Sequence, residues 1–139
     1  MKSKYVLLVS TMLISVATFA QKDQIKAAEK ALKAGKSDEA KTILLDAESV
    51  ITNATEAEKA QYYFVKGNVM LDLANKSVDK DANLSLAAGA FQELIEVEKA
   101  SGKSKYTAQA TKSVMDIKYK LINEAIADSK SDKHEVAAK

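Results

Sequence analysis

Apolar residues along this chain recur at three- and four-residue intervals, the period of helices buried on one side. The first stripe, Ile25, Ala28, Ala31 and Leu32, runs up to Gly35, which would stop a helix as a C-terminal glycine does. The second, Ala40, Ile43, Leu44, Ala47, Val50 and Ile51, follows Ser37, a residue able to cap its start, with Asp38 and Glu39 in its first turn. Residues 22–51 therefore predict two antiparallel helices joined by a tight turn. Neither is long enough to be stable alone in water, so the two must pack.

Thr55-Glu56-Ala57-Glu58 fits a capping box and opens a third stripe through Tyr62, Tyr63, Val65, Val69, Met70, Leu71 and Leu73. Residues 75–83 are polar and predict a loop. A fourth helix carries Leu84, Ala87, Ala88, Phe91, Leu94, Ile95 and Val97 and ends at Ser101-Gly102. A fifth spans about residues 104–128, with Tyr106, Ala110, Val114, Ile117, Leu121, Ile122 and Ala125. A polar break at 128–132 then precedes the opening of a sixth helix at His134, which reaches Lys139 without a C-cap, as the start of a helix in a longer protein would.

The first twenty residues belong to a different pattern. Lys2 and Lys4 form a short basic start, residues 5–16 are uncharged and largely apolar, and the segment closes on Ala17-Thr18-Phe19-Ala20. That order predicts a secretory signal peptide, residues 1–20, cleaved after Ala20. The apolar run is shorter than the roughly 20 residues of a membrane-spanning helix, so no membrane span is expected in the mature chain, residues 21–139. A lipid anchor on cysteine is excluded, because the chain has none.

Composition narrows the chemistry. Among 139 residues there are 21 basic side chains, all Lys, and 19 acids, for a net charge of +2. Loss of Lys2 and Lys4 with the leader brings the mature chain to neutrality, which leaves no electrostatic footprint for nucleic acid. Zero Cys removes disulfides and thiolate metal sites, and a single His leaves no cluster for a transition metal. The absence of Pro and the presence of only four Gly favour long helices.

The stretch Ala28-Glu29-Lys30-Ala31-Leu32-Lys33-Ala34-Gly35-Lys36-Ser37-Asp38-Glu39-Ala40 resembles the centre of a tetratricopeptide repeat. In that family a small residue of one helix packs on a small residue early in the next, followed by a large apolar residue and another Ala. Ala28, Ala40, Leu44 and Ala47 stand at those spacings. A second, weaker unit places Gly67 and Ala87 at the small positions and Phe91 at the large one, with about eight inserted residues between its helices. A third would pair helix five with the unfinished sixth. The consensus Pro is missing throughout. The resemblance implies an all-α fold of antiparallel helix pairs stacked as a short solenoid, about five helices plus a truncated sixth. A closed antiparallel bundle is the alternative, sharing the periodicity but not the stacked pairs.

Candidate chemistry is sparse. His134 lies in a polar tail beside Lys133 and Glu135 and reads as a solvated residue. The acids Glu56 and Glu58, Asp79 and Asp81, and Glu93, Glu96 and Glu98 are interleaved with Lys, as on solvated faces. Asp79-Lys80-Asp81-Ala82-Asn83 has the opening of a calcium loop but neither its Gly nor its closing Glu. Neither cofactor nor metal is expected, and no catalysis. Three sequons, at Asn53, Asn75 and Asn83, fall in predicted loops.

The consecutive aromatics Tyr62, Tyr63 and Phe64 cannot share one helix face, so Tyr62 or Tyr63 is expected to be exposed. In tetratricopeptide arrays the first helix of each pair lines a concave groove, which makes Tyr62 and Tyr63 candidate partner contacts, with Lys59, Lys66 and Asn68 adding polar ones. The expectation is a non-catalytic scaffold binding a protein or peptide. The alternative is a chaperone-like helical protein handling unfolded clients. The leader and the junction Phe19-Ala20-Gln21-Lys22-Asp23-Gln24 resemble exported envelope proteins of this family, periplasmic or outer-membrane-associated, with full secretion as the alternative.

Overall fold

The structure, a computed structural model, describes residues 22–137, with side chains as far as residue 130. The leader assigned to residues 1–20 and the side chain of His134 lie outside what is described. The chain is an all-α helical-repeat fold. Its helices are α1 (22–33), α2 (Ser37–Glu48), α3 (Glu56–Asn75), α4 (Lys80–Ala100) and α5 (Thr107–Ala137), with a short 3-10 turn, Ile51–Asn53, between α2 and α3. Helices α1 and α2 form one packed pair and α3 and α4 another, while α5 lies against α4.

The same turn chemistry ends three of these helices. At the end of α1 the Lys36 amide donates to the Ala31 carbonyl (3.0 Å) and the Gly35 amide to the Leu32 carbonyl (2.9 Å), with Gly35 at φ +76°. That is a Schellman turn, which needs a left-handed residue and so favours Gly. Gly102 does the same for α4. At the end of α3 the left-handed residue is Ser77, φ +60°, with Val78 donating to Leu73 and Ser77 to Ala74. A Cβ in this conformation strains against the backbone.

In the first pair, Ala28, Ala40, Leu44 and Ala47 are all fully buried. Small side chains at the crossing let two helix axes approach to about 8–10 Å, and the larger Leu44 fills the space beside them. The second pair uses the same device more severely. A Cβ placed on Gly67 of α3 would lie 2.6–2.8 Å from the Phe91 ring of α4. Ala87 lies one turn from Phe91, also fully buried.

Three expectations need correction. Residues 75–83 are not a loop: α3 continues to Asn75, α4 begins at Lys80, and only residues 76–79 connect them. Two polar side chains of this segment bond within the protein: the buried Asn83 amide donates to the Val78 carbonyl (2.8 Å), and Lys80 pairs with Glu124 of α5. The inserted residues of the second pair therefore lengthen its helices. Asp79 is the residue before α4, and Lys80 to Asn83 form its first turn.

Ser37 does not cap α2. Lys36 holds the cap position, and the Ser37 hydroxyl donates to the Asp72 carboxylate of α3 instead, because a charged acceptor outcompetes the backbone. Lastly, α5 runs unbroken through residues 128–132 to Ala137, so there is no separate sixth helix among the described residues. Asp, Ser and Lys carry only modest helix penalties, and without Gly or Pro nothing interrupts the ladder.

Two glycines in facing helices make a paired test. Gly67→Ala must push on a ring that has nowhere to go, costing about 1–3 kcal/mol against a propensity gain of roughly 1 kcal/mol. Gly89 of α4 has nothing within 4 Å of its would-be Cβ, so Gly89→Ala is expected to stabilise by about 0.5–1 kcal/mol. Urea melts should show opposite signs, and Phe91→Leu should remove the Gly67→Ala penalty. Ser77→Gly is expected to raise the unfolding free energy by about 1 kcal/mol in the same assay.

Candidate functional site

Helix α3 touches every other helix of the fold, and each of its faces has a different neighbour. Toward α2 it presents Tyr62, whose hydroxyl donates to the Leu44 carbonyl (3.4 Å), and Lys66, whose ammonium reaches Glu48 (2.6 Å). Toward α4 it presents Gly67. The third side meets α1 and α5. There the Gln61 amide donates to Glu29 of α1 (3.3 Å), the Phe64 ring stacks on Tyr106 at the start of α5 (centroids 4.4 Å apart, planes 18° apart), and Lys120 of α5 donates to Asn75 (3.2 Å). Residues 61, 64, 68 and 75 are spaced as one helical stripe, so α1, α3 and α5 share this face.

Gln61, Phe64, Asn68 and Tyr106 are each half-buried. The Asn68 amide is tied back to the Phe64 carbonyl (2.7 Å), and the Lys105 ammonium sits 4.7 Å from the Tyr106 ring centroid. Glu29 is held below the usual carboxylate range, first by the hydrogen bond from Lys33; burial opposes this, and the Lys33 charge, the Gln61 amide and Lys105 reinforce it. At one end the face opens into a cleft of about 270 Å³, lined among others by Lys22, Ala57, Gln61, Lys103, Lys105 and Tyr106.

The cleft owes its shape to Glu98. This residue near the end of α4 is buried, and its carboxylate accepts from the amides of Tyr106 (3.0 Å) and Thr107 (2.8 Å) and from the Thr107 hydroxyl (2.7 Å). It thereby closes the orphan amides at the start of α5, a cap delivered from another helix. Burial alone would raise its pKa. The Thr107 hydroxyl and the amides of Tyr106, Thr107 and Lys105 outweigh that and hold it below the ordinary value. Reading Glu98 as a solvated acid is thus corrected: the free amides of α5 draw the carboxylate inward.

Of the candidate partner contacts, Tyr62 is not available. It is 1 % exposed, wedged between α2 and α3, and burial, followed by the Glu48 charge and Tyr63, raises its hydroxyl above the ordinary phenol range. Tyr63 is half-buried, edge-on to Tyr62 at 5.3 Å. Lys59 is paired with Glu56 (3.0 Å) and Lys66 with Glu48, so both lysines are engaged within the chain. Asn68 alone of the five lies on the face shared with α1 and α5. Gln61, Phe64 and Tyr106 were missed. Helical spacing of Gln61 and Phe64 with Asn68 marks a mixed polar and aromatic stripe on α3, but the meeting of Phe64 with Tyr106 joins residues far apart in the chain.

Among the described residues, no group of three or more His, Asp or Glu side chains is placed to hold a metal ion, and no helix is long and apolar enough to cross a membrane. No family model matches the chain, and no characterised protein or solved structure matches it either.

Glu98→Gln is expected to lower the unfolding free energy by about 1–3 kcal/mol at neutral pH, since the replacement amide turns a donor toward donors. The folded-state pKa of Glu98 lies below its unfolded value, so its contribution is complete above pH 4.5 and is lost as pH falls through the lower folded-state value. Chemical denaturation across that acid range should give a shallower pH dependence for Glu98→Gln than for the wild type.

Proposed function

We propose that this chain is a non-catalytic adaptor of tetratricopeptide type, exported to the cell envelope, which binds a protein or peptide segment on the face shared by α1, α3 and α5. The observation that carries this reading is the stripe of half-buried side chains on α3, flanked by Glu29 and Tyr106, which offers stacking, amide and charged groups along one continuous surface. A rigid helical face of this kind recognises a segment by shape and a few anchors rather than by chemistry on it. Phe64 and Tyr106 are the aromatic anchors, and aromatics dominate the energetics of such contacts. Gln61, Asn68 and Lys105 supply the polar groups that set orientation. The non-catalytic part of the reading is supported by the role of Glu98, the buried carboxylate at the cleft, which caps the start of α5. Export, to the periplasm or the outer membrane, is supported by the basic start, apolar run and small-residue close of residues 1–20.

Selection of displayed peptides on the immobilised protein, followed by titration of the enriched sequences, tests the proposal. Affinity in the micromolar range is expected, weakened at least about tenfold (about 1.4 kcal/mol) by Tyr106→Ala or Asn68→Lys. Leu86→Ala, on the exposed side of α4, should leave it unchanged. Peptides indifferent to Tyr106 and Asn68 would place binding elsewhere, and a failure to enrich any would remove the adaptor role.

A further inference from the structure

Lysines flank the face shared by α1, α3 and α5. On α1, Lys22, Lys26, Glu29 and Lys33 follow at intervals of four, three and four residues, one stripe of the helix. Glu29 meets Gln61 of α3 and Lys22 lines the cleft at the end of the face, so this stripe is turned toward α3. On α5, Lys112, Asp116 and Lys120 form a corresponding stripe, and the bond from Lys120 to Asn75 turns it toward α3 as well. Lys105 precedes it, with its ammonium above the Tyr106 ring. Helix α3 itself presents Gln61, Phe64, Asn68 and Leu71, all half-buried and uncharged.

The acids near this face are already answered by the chain. Glu29 is paired with Lys33 at 2.7 Å, Glu56 with Lys59, Glu58 accepts from the Thr55 amide (3.0 Å) and hydroxyl (2.7 Å), and Glu98 caps α5. The lysines are not: among the described residues Lys22, Lys26 and Lys112 have no ion-pair partner. Asp116 is the one further acid in the two stripes. Yet lysines and acids balance over residues 21–139. The compensating charge lies on the even helices, where α2 carries four acids against one Lys and α4 four against two. Neutrality of the whole thus conceals a separation of charge, and the face left positive is the one with the aromatic and amide stripe.

We propose that the segment bound on this face is acidic, its carboxylates meeting the lysines of α1 and α5 while the rest of it meets the amides and rings of α3. The inference rests on the adaptor reading and gives its partner a chemistry. Complementary charge selects among partners and speeds encounter more than it adds affinity, so acidity acts here as a rule of specificity. Lys22 and Lys26 stand about 6 Å apart along α1, close to the roughly 6.6 Å between alternate residues of an extended chain. Successive carboxylates on one side of such a segment therefore match successive lysines. Relief favours a segment over an anionic bilayer: Lys22, Lys26, Lys33 and Lys112 are exposed and the α3 stripe is half-buried, so a flat surface would touch the lysines alone. The exposed apolar side chains of α5, Met115, Tyr119, Ile122 and Ile126, lie opposite its buried Ile117 and outside this stripe.

Sequences enriched from a random displayed-peptide library on the immobilised protein decide the matter. They are expected to carry net negative charge. For a synthetic peptide of the enriched sequence, the dissociation constant should rise at least about tenfold between roughly 50 and 500 mM NaCl. Lys26→Glu combined with Lys112→Glu should weaken it by at least about tenfold, with unchanged helical circular dichroism because both side chains are exposed. Lys118→Glu makes the same change of charge on the opposite side of α5 and should leave binding as it is. Enriched peptides that are neutral or basic, or an affinity indifferent to salt and to the paired substitution, overturn the acidic partner and leave the adaptor reading standing. Failure to enrich any peptide removes both, and binding to phosphatidylglycerol vesicles that the paired substitution abolishes would then reassign the face to a lipid surface.

Discussion

At the middle of the fold the ring of Phe91 occupies the volume that a side chain on the facing helix would need, and Gly67 leaves it free. The rest of the structure depends on that close approach. Helix α3 can lie tightly against α4 only there, and once it does, its remaining faces are set: Tyr62 toward α2, Gln61 toward α1, Phe64 toward the start of α5. Packed interiors tolerate neither a void nor an added methyl at such a crossing. One missing side chain therefore sets the distance on which several other contacts rely. The first helix pair has the gentler version, with Ala28 and Ala40 buried and Leu44 beside them.

Polar groups then join the pairs to one another. Asp72 of α3 accepts from Ser37 at the start of α2 and from Lys76 (2.7 Å), and Lys76 also reaches the Gly35 carbonyl (3.0 Å) at the turn of the first pair. The hydrogen bonds from Lys76 and then Ser37 hold the Asp72 carboxyl below its usual range despite some burial. Glu98 does the corresponding work at the other junction by capping α5 from α4. In both places a charged side chain meets backbone or hydroxyl groups that a helix end leaves unsatisfied, so the order of stacking follows from where helix ends fall. The face offered to a partner is a consequence: the Glu98 cap positions Tyr106, and Tyr106 meets Phe64.

Local patterning made a good part of this legible. The capping box at Thr55 and Glu58 forms as its spacing implies, the Gly35 and Gly102 stops are where helices end, and the small and large positions Ala28, Ala40, Leu44, Ala47, Gly67, Ala87 and Phe91 are all buried. The recognition surface was less legible. Tyr62 and Phe64 are neighbours in sequence and similar in chemistry, yet one is sealed under α2 and the other lies half-open against Tyr106. Periodicity gives each its angle around the helix but not which neighbour stands at that angle.

The sequence by itself determined that the chain forms five helices, the capping box at Thr55, the glycine stops and the buried stripes, because each depends on groups three to five residues apart and on backbone preferences that act without distant help. Only the tertiary structure decided that Glu98 is a buried cap, that Ser37 serves Asp72 rather than its own helix, that residues 75–83 are mostly helix, and that α5 keeps a second apolar face in water. Each of those outcomes is a competition between a local partner and a stronger one brought near by folding, or the lack of any partner at all. Local spacing contains no information about that second participant.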